Sequence, residues 1–364
     1  MNFSTDPSNI SANINADACV PATLGALERR LAALGAAPAH RARLLRAWLH
    51  GQPLDHGPRK QAAENFLPLS LRTALPALEE ALKALAQPVS EHPGSDGTRL
   101  LLRLYDGQTV ESVLLPRAGV CISTQLGCAV GCSFCMTGRS GLLRQLSTPE
   151  MLAQVVLARH YQRLRRVVFM GMGEPAHNLD NVLETIQLLG SLGGFGHKDL
   201  VFSSVGDPRI FEALAQGPVK PALALSLHTT DAALRAELLP RAPRLSPREL
   251  VDAGEEYARR TTYPIQLQWT LLAGINDSFA EMDAAADLLR GKYAILNLIP
   301  YNPTAALAYQ RPSAEHIAQL VQHLRQRGIR VAVRQSAGQE VEGGCGQLRA
   351  RTLATPPAPI SRFR

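Results

Sequence analysis

The sequence predicts an α/β fold, either a parallel sheet or a partial barrel, from two observations. After residue 119, apolar strand-like runs alternate with helical runs, which is typical of parallel α/β proteins. Several of the helical runs also begin with recognisable caps. The strands are predicted at 119–124, 166–170, 200–203, 222–226, 265–272, 294–299 and 329–334, and the helices near 148–163, 178–192, 207–216, 246–260, 279–290 and 313–327.

Two of these helices have clear start signals. Thr148 is predicted to cap its helix, with Pro149 at the first helical position, where a missing N–H costs nothing. Ser246, followed three residues later by Glu249, predicts a capping box. In a barrel of parallel strands, we expect the active residues at the carboxyl ends of the strands.

The residues before the alternating region predict separate segments. Leucines recur at helical spacing in three short stretches, which predicts a small helical accessory domain, whereas the first residues are rich in Asn, Ser and Asp. Residues 88–97 have the composition of a linker. Strands 99–105 and 109–115, joined at Asp106 and Gly107, predict a β-hairpin. The expected domains are a disordered arm at 1–20, the helical accessory domain at 21–90, the barrel with its hairpin at 98–350 and a flexible basic tail at 351–364.

Composition favours a cytosolic protein with an anionic partner. The chain of 364 residues has a net charge of +7 and a pI near 9.3, which favours nucleic acid as a partner, although many basic proteins bind none. Arg41, Arg43 and Arg46 share one face of a predicted helix and are a candidate RNA contact, or simply a solvated face. Six cysteines are too few for a disulfide scaffold. We find neither a signal peptide nor a long apolar span.

Three cysteines, Cys128, Cys132 and Cys135, form a C-x3-C-x2-C run directly after a predicted strand. Thiols this close in sequence cannot pair without strain, but they can bind one metal centre. Three ligands are one fewer than a closed zinc site or an ordinary iron–sulfur cluster uses, which leaves one position open for a substrate or cofactor. The alternative is a zinc knuckle that a distant histidine or cysteine completes.

Polar segments follow the next predicted strands. Gly173 and Glu174 lie in a GMGEP turn, where glycine lets a ligand approach the backbone and the carboxylate can accept hydrogen bonds from an ammonium or ribose hydroxyl. An ordinary tight turn is the alternative. Later strand ends carry groups that suit a nucleoside and its carboxylate, or that serve the fold alone. These residues are Ser203, Ser226, Leu227, His228 and Asn302.

Two cysteines outside the loop indicate a second chemistry. Cys345 is flanked by glycines, which suits a thiolate that must visit more than one position, whereas a lone cysteine is usually an inert core residue. Cys121 ends the strand that precedes the cysteine loop and is the natural partner. Cys19, in the predicted arm, is interpreted as incidental.

These motifs resemble the radical S-adenosylmethionine (SAM) superfamily and, in their order, the RlmN/Cfr family. The match runs from about Glu111 to Leu348 and includes STQLGC, CSFCMTG, MGMGEP, LSLH, LNLIPYNP and GGCGQL. The resemblance implies a partial (β/α)6-type barrel, a 4Fe-4S cluster on the three loop cysteines, and SAM bound by the polar strand ends. Met136 replaces a usual serine and SSVG replaces the common STSG, which leaves the RNA target open.

The resemblance also implies a mechanism. Cys345 takes a methyl group from one SAM, and a second SAM on the cluster is cleaved to a radical that abstracts hydrogen from that methyl. The methylene radical then adds to an adenine carbon. Glu111 is the implied proton acceptor, and attack by Cys121 releases the product with a Cys121–Cys345 disulfide. A solvated hairpin carboxylate is the alternative interpretation of Glu111.

The implied function is methylation of an RNA adenosine, by default at C2 in 23S rRNA or tRNA, with C8 as the alternative. The implied partners are the RNA, two molecules of SAM per turnover and an electron donor such as flavodoxin or ferredoxin, with no membrane and a monomeric, cytoplasmic enzyme. The rival classes are an RNA-binding protein with structural zinc and a radical SAM enzyme acting on a protein or small molecule.

Overall fold

A computed structural model describes residues 20–57 and 61–350. Most of the predicted arm, with Cys19, and the predicted tail therefore lie outside the described residues. Within them, ten strands form one sheet, in which neighbours along the chain are also neighbours in space. These strands are β1 (Ala86–Pro93), β2 (Thr98–Leu104), β3 (Thr109–Leu115), β4 (Gly119–Cys121), β7 (Arg166–Phe169), β8 (Leu200–Ser204), β9 (Ala222–Ser226), β10 (Ile265–Leu271), β11 (Ala294–Pro300) and β12 (Val331–Val333).

From β4 to β12 every neighbouring pair of strands in this sheet is parallel, as the alternation predicted. A separate antiparallel ribbon, β5 (Gln125–Gly127) and β6 (Leu142–Gln145), interrupts the chain between β4 and the first barrel helix. The predicted strand 119–124 is therefore shorter than expected, since β4 ends at Cys121. The chain turns there to carry the cysteine loop on its own ribbon.

Ten α-helices are present in the described ranges, three before the sheet and seven alternating with the parallel strands. They are α1 (Leu24–Ala33), α2 (Pro38–Leu49), α3 (Leu69–Lys83), α4 (Thr148–Tyr161), α5 (Leu179–Ser191), α6 (Arg209–Gln216), α7 (Ala232–Leu238), α8 (Pro247–Thr261), α9 (Phe279–Leu289) and α10 (Ala314–Gln326). Helix α7 was not predicted; Asp231 caps it by accepting hydrogen bonds from the N–H groups of Ala233 and Leu234.

Both predicted helix starts hold, one of them shifted by a residue. Ser246 and Glu249 form the predicted capping box, in which the Ser246 N–H donates to Oε2 of Glu249 at 2.8 Å. At α4 the cap is Ser147 rather than Thr148, and Glu150 completes its capping box. The one-residue error follows from two consecutive hydroxyl residues, either of which suits an N-cap.

The predicted linker at 88–97 is wrong, because most of it belongs to β1. This strand lies at the edge of the sheet as described and pairs with β2, with a register shift between Pro88 and Ser90. Prolines are tolerated at such edges and bulges because no ladder hydrogen bond is lost there. The predicted hairpin is confirmed, and Gly107 adopts φ +83° at its turn.

The accessory helices pack onto the barrel through a shared apolar core. Leu27 and Leu71 are as buried as the barrel residue Phe169. The opposite face of α2 is only partly available to a partner, since the Arg43 guanidinium lies 4.6 Å from the centre of the Phe66 ring. This contact makes packing one function of the arginine face. Of the other two arginines on this face, Arg46 is exposed and Arg41 is half-buried.

Candidate active site

The cysteine loop occupies the tip of the β5–β6 ribbon, beyond the carboxyl end of β4. Gly127 lies at the base of the loop with φ +72°, and a Cβ there would stand 1.9 Å from the carbonyl oxygen of Gly141. Only glycine therefore allows the two sides of the loop to approach this closely. The Met136 N–H donates to the carbonyl oxygen of Gly346 at 2.7 Å, which joins this loop to the Cys345 segment.

The three loop cysteines lie close enough to influence one another. Burial raises the pKa of Cys128 to about 12, and burial together with the charges of Cys135 and Cys128 raises the pKa of Cys132. The Cys135 N–H donates to the carbonyl oxygen of Cys132 at 3.0 Å. A metal or cluster that binds thiolates offsets this penalty, because coordination stabilises the deprotonated form.

Within residues 20–57 and 61–350, no group of three or more His, Cys, Asp or Glu side chains is arranged to hold a single metal ion. A zinc knuckle requires all its sulfurs at about 2.3 Å from one ion. In an iron–sulfur cluster each cysteine binds a different iron, so the sulfurs can be farther apart.

An apolar wall surrounds the loop cysteines. The Phe134 ring meets the His228 ring edge to face, with 4.9 Å between ring centres. Apolar surroundings lower the local dielectric constant, which strengthens electrostatic interactions beside them. The wall consists of Val130, Phe134, Val205, Leu238, Leu239, Leu272 and Tyr301, packed with Cys128.

Glu174 lies in a turn that hydrogen bonds from its backbone and its carboxylate hold in place. Gly173 has φ +104°, and the N–H of the next residue, Glu174, donates to Oε1 of Gln125 at 2.7 Å. The buried Glu174 carboxylate accepts from the N–H groups of Ala176 and Val205, both at 3.1 Å. Burial raises its pKa to about 7, and these hydrogen bonds oppose the shift. A cationic ligand group would favour its ionised form.

The ends of the next two strands supply polar groups to the barrel interior. Side chains alternate along a strand, so Ser203 shares the inner face of β8 with Val201, which lines the central cavity. Ser204 points the other way and hydrogen-bonds Glu174. At the end of β9, Ser226 is half-buried and Leu227 is fully buried, with the Leu227 N–H donating to the carbonyl oxygen of Gln268 at 3.0 Å.

His228 is held in one orientation by its backbone and its ring. Its φ is +63°, its Nδ1 accepts from the Thr270 N–H at 2.9 Å, and its carbonyl oxygen accepts from Nδ2 of Asn276 at 2.7 Å. Burial, helped by the charge of Arg235, lowers the pKa of His228 to about 3. The ring is therefore neutral at physiological pH, and Nε2 is left as the donor.

Asn302 connects the end of β11 to the Cys345 segment. Its Nδ2 donates to the carbonyl oxygen of Cys345 and to Oγ of Ser336, both at 2.9 Å. Its Oδ1 is buried and has no hydrogen-bond partner in the described part of the chain. A buried acceptor without a partner is unfavourable unless a ligand supplies the donor.

Cys121 and Cys345 line one cavity of about 730 Å³ inside the barrel. Burial raises the pKa of both thiols; the charge of Cys345 adds to the shift of Cys121, whereas a hydrogen bond with Ser336 partly opposes the shift of Cys345. Cys345 is accessible from the cavity. The fold thus brings together the two cysteines that the sequence analysis had paired.

Glu111 is completely buried, so the alternative of a solvated hairpin carboxylate is wrong. Its Oε1 accepts from the Arg99 guanidinium, which is itself 1% exposed, while its Oε2 accepts from the N–H groups of Arg349 at 2.7 Å and Ala350 at 3.0 Å. Burial raises the pKa of Glu111, and Arg99 opposes the shift. The pair anchors the chain just beyond Cys345.

Several site residues carry no signal in the sequence. Gln125, Ser204 and Ser336 reach their partners only in the folded chain. Another is Arg235, whose Nη2 donates to the carbonyl oxygens at Val205 and Ser226 although the side chain is buried. Burial lowers the pKa of Arg235 to about 10, while the charge of Cys132 acts in the opposite direction. This places a buried cation beside the cysteine loop.

A parallel partial barrel whose first strand leads into a three-cysteine loop, with polar strand ends around it, defines a class of cluster-binding α/β enzymes. Residues 122–289 match the model of the Radical SAM superfamily. The chain is 65% identical over 331 residues to a probable RNA methyltransferase of Dechloromonas aromatica, with 91% of this chain and 93% of the relative covered. It is 62% identical over 339 residues to another from Pseudomonas paraeruginosa, with 93% and 98% covered.

The crystal structure of a radical SAM methyltransferase from Sphaerobacter thermophilus matches with a TM-score of 0.78 at 38% identity, covering 92% of this chain and 99% of that chain. The chain therefore belongs to the radical SAM superfamily and, within it, to the methyltransferase family of these relatives. It is a SAM-dependent enzyme, and its cofactors are a 4Fe-4S cluster and SAM. The predicted fold class is confirmed.

The residues present fit these cofactors. Cys128, Cys132 and Cys135 would supply three thiolate ligands for the cluster beside an apolar wall, and the unsatisfied Oδ1 of Asn302 would offer SAM an acceptor. Glu174 offers a carboxylate to an ammonium group. None of the described helices is both long enough and apolar enough to span a bilayer.

Proposed function

We propose that this enzyme methylates an adenosine of RNA, by default at C2 in 23S rRNA or tRNA, in the manner of the RlmN/Cfr family. The observation that carries the proposal is the shared cavity of Cys121 and Cys345 beside the cysteine loop. The relatives named as probable RNA methyltransferases support RNA as the substrate. The reducing cytoplasm suits an enzyme of this kind.

In this proposal each functional residue has one role. The cluster and SAM, when bound, supply a 5′-deoxyadenosyl radical. Cys345 carries the methyl group as S-methylcysteine, and Ser336 assists by stabilising its thiolate. Cys121 resolves the covalent protein–RNA adduct and forms a disulfide with Cys345. The residues proposed to hold SAM are Gly173, Glu174, Ser203, Ser226, Leu227, His228 and Asn302.

Glu111 is proposed to accept the proton that leaves the adenine ring. Its oxygens already accept three hydrogen bonds, and a carboxylate offers about four acceptor positions. One position is thus left for a proton donor. Its raised pKa brings it closer to neutrality, which suits a general base.

Two variants test the cysteine roles. Cys345→Ala should abolish RNA methylation while the visible absorption of the cluster remains, because Cys345 is not a cluster ligand. Cys121→Ala should accumulate a covalent protein–RNA adduct, which denaturing electrophoresis and mass spectrometry detect. The matched control Cys132→Ala should lose the cluster itself. Methylated RNA from the Cys345→Ala enzyme would refute the mechanism.

A deletion strain identifies the substrate. Position-mapped mass spectrometry of its 23S rRNA and tRNA should show an adenosine that lacks one methyl group, which the purified enzyme, SAM and reduced flavodoxin or ferredoxin restore. Modification at C2 supports the default, and modification at C8 supports the Cfr-like alternative. Unchanged methylation of both RNA classes in the deletion strain would point to a protein or small-molecule substrate.

A further inference from the structure

Four basic side chains line the mouth of the central cavity, three of them at the amino ends of parallel strands and one, Arg334, directly after β12. They are Arg117, Arg166, Lys198 and Arg334, which we call the basic rim. Each is exposed to solvent. The inner end of the same cavity is formed by Cys121 and Cys345. The cysteine loop and the proposed SAM contacts lie at the opposite ends of the strands.

The basic rim is not neutralised by ion pairs in the structure as described. None of its four members forms an ion pair with a carboxylate among residues 20–57 and 61–350. Asp96 is the one acidic residue among those that line the cavity, and its Oδ1 accepts from the Gly338 N–H at 2.8 Å. One carboxylate offsets only part of four positive charges, so the mouth keeps a net positive charge that favours an anion.

Arg334 illustrates the repulsion between these positive charges. Its Nε donates to Oδ1 of Asn297 at 3.0 Å, so this guanidinium bonds a neutral amide rather than a carboxylate. Partial desolvation of the guanidinium by the surrounding chain, and then the charges of Arg166 and Arg117, lower its pKa. An acidic group that faced it would act in the opposite direction, and none contributes to the shift.

The backbone fixes Arg117 at this mouth. Arg117 and Ala118 have φ of +58° and +63° in the turn between β3 and β4. Residues other than Gly, Asn and Asp rarely adopt this left-handed backbone conformation. The carbonyl oxygen of Ala118 accepts from the N–H groups of Arg165 at 2.7 Å and Arg166 at 3.2 Å. These bonds join the Arg117 turn to the start of β7 and set two rim residues side by side.

The distance from the basic rim to the two cysteines suits a nucleotide. Two residue steps of β4, about 7 Å of extended chain, separate Gly119 at the rim from Cys121 at the inner end. A base that reaches the cysteines through this mouth would leave its backbone phosphates at the rim. Guanidinium groups bind phosphate oxygens in a bidentate manner, and three of the four rim residues are arginines.

We infer that the basic rim binds backbone phosphates of the RNA substrate, so that the target base enters the barrel from the amino ends of the strands, opposite the cluster. This inference rests on the proposed function, since it assigns an entry face to the same RNA. It also separates the two substrates in space, with SAM at one end of the cavity and the nucleotide at the other.

The test compares two charge-matched double variants of the cluster-loaded enzyme. Arg166→Gln with Arg334→Gln removes two rim charges. Arg244→Gln with Arg248→Gln removes two exposed charges near the start of α8, away from the cavity. Binding of 23S rRNA fragments and tRNA from the deletion strain is measured against salt concentration. Iron content and cluster absorption show that each variant is folded and loaded.

The logarithm of the RNA-binding constant falls linearly with the logarithm of salt concentration, and we call the steepness of this line the salt slope. The salt slope should decrease by about 0.7 for each phosphate of single-stranded RNA that a rim side chain no longer binds, and so by about 1.4 in the rim variant. The control pair should keep the wild-type slope, and KM for RNA should rise in the rim variant alone. If the wild type methylates RNA but both pairs show its slope, the entry face is wrong and the function stands. If the wild-type enzyme binds neither RNA, both the function and the rim are refuted.

Discussion

Replacing Glu111 by Gln tests the buried ion pair that anchors the chain beyond Cys345. The change removes one negative charge but keeps a side chain of the same shape with one acceptor oxygen. Arg99, at 1% exposure, would then be a buried cation without its carboxylate. We expect a large loss of stability and a loosened attachment of Arg349 and Ala350.

The magnitude follows from the burial of both partners. Breaking a fully buried ion pair from one side costs about 3–5 kcal/mol, because the remaining charge is uncompensated. Removing both charges leaves no such charge, so Glu111→Gln combined with Arg99→Met should recover most of the loss. The coupling between the two changes should therefore be at least about 2 kcal/mol.

Urea unfolding of the two single variants, the double variant and the wild type, followed by circular dichroism at constant pH, measures this coupling. Glu111→Gln alone should unfold at a clearly lower urea concentration than the double variant. Equal midpoints for Glu111→Gln and the wild type would refute the assignment of a buried, stabilising ion pair. Losses that simply add in the double variant would refute the coupling.

Three further predictions concern the site. Between about pH 6.5 and pH 3 the unfolded chain takes up a proton that the buried, neutral His228 refuses, so stability falls as pH falls, by up to about 5 kcal/mol. Urea midpoints at several pH values should show this loss of stability in the wild type and a smaller loss in His228→Asn, a residue that tolerates the positive φ. Equal losses in the two proteins would contradict the assignment to His228. Arg235→Gln should lower the midpoint potential of the cluster, measured by redox titration with electron paramagnetic resonance, whereas Arg248→Gln should not, because only Arg235 is a buried cation beside Cys132. Asn302→Ala should raise the Kd of SAM about tenfold, since it removes a buried acceptor and the support of Cys345, and unchanged binding by calorimetry would exclude that contact.

Much of the barrel was predictable because local patterns carry it. From β7 onward, apolar runs with the periods of strands and helices marked every strand and every α-helix except α7, and Ser246 marked the start of α8. The errors have local causes as well. Prolines in 88–97 imitate a linker although an edge strand accepts them, and β4 ends early because the ribbon β5–β6 takes over the residues after Cys121.

Part of the candidate site could likewise be predicted from local sequence, and part of it could not. The spacing of Cys128, Cys132 and Cys135 is local, so the order of residues alone is enough to predict a cluster loop there. The partners that hold and surround the site are distant in sequence: Ser336 beside Cys345, Arg99 beside Glu111, and Arg235 beside Cys132. No residue spacing predicts such pairs.

The class of enzyme follows from residue order, because a three-cysteine loop after a strand is a local motif whose chemistry depends on residue type and spacing. Three other features required the folded chain: Cys121 and Cys345 share one cavity, Glu111 is buried against Arg99, and basic residues surround the opposite mouth. Burial and electrostatic repulsion depend on which distant segments meet, and only the folded chain brings those segments together.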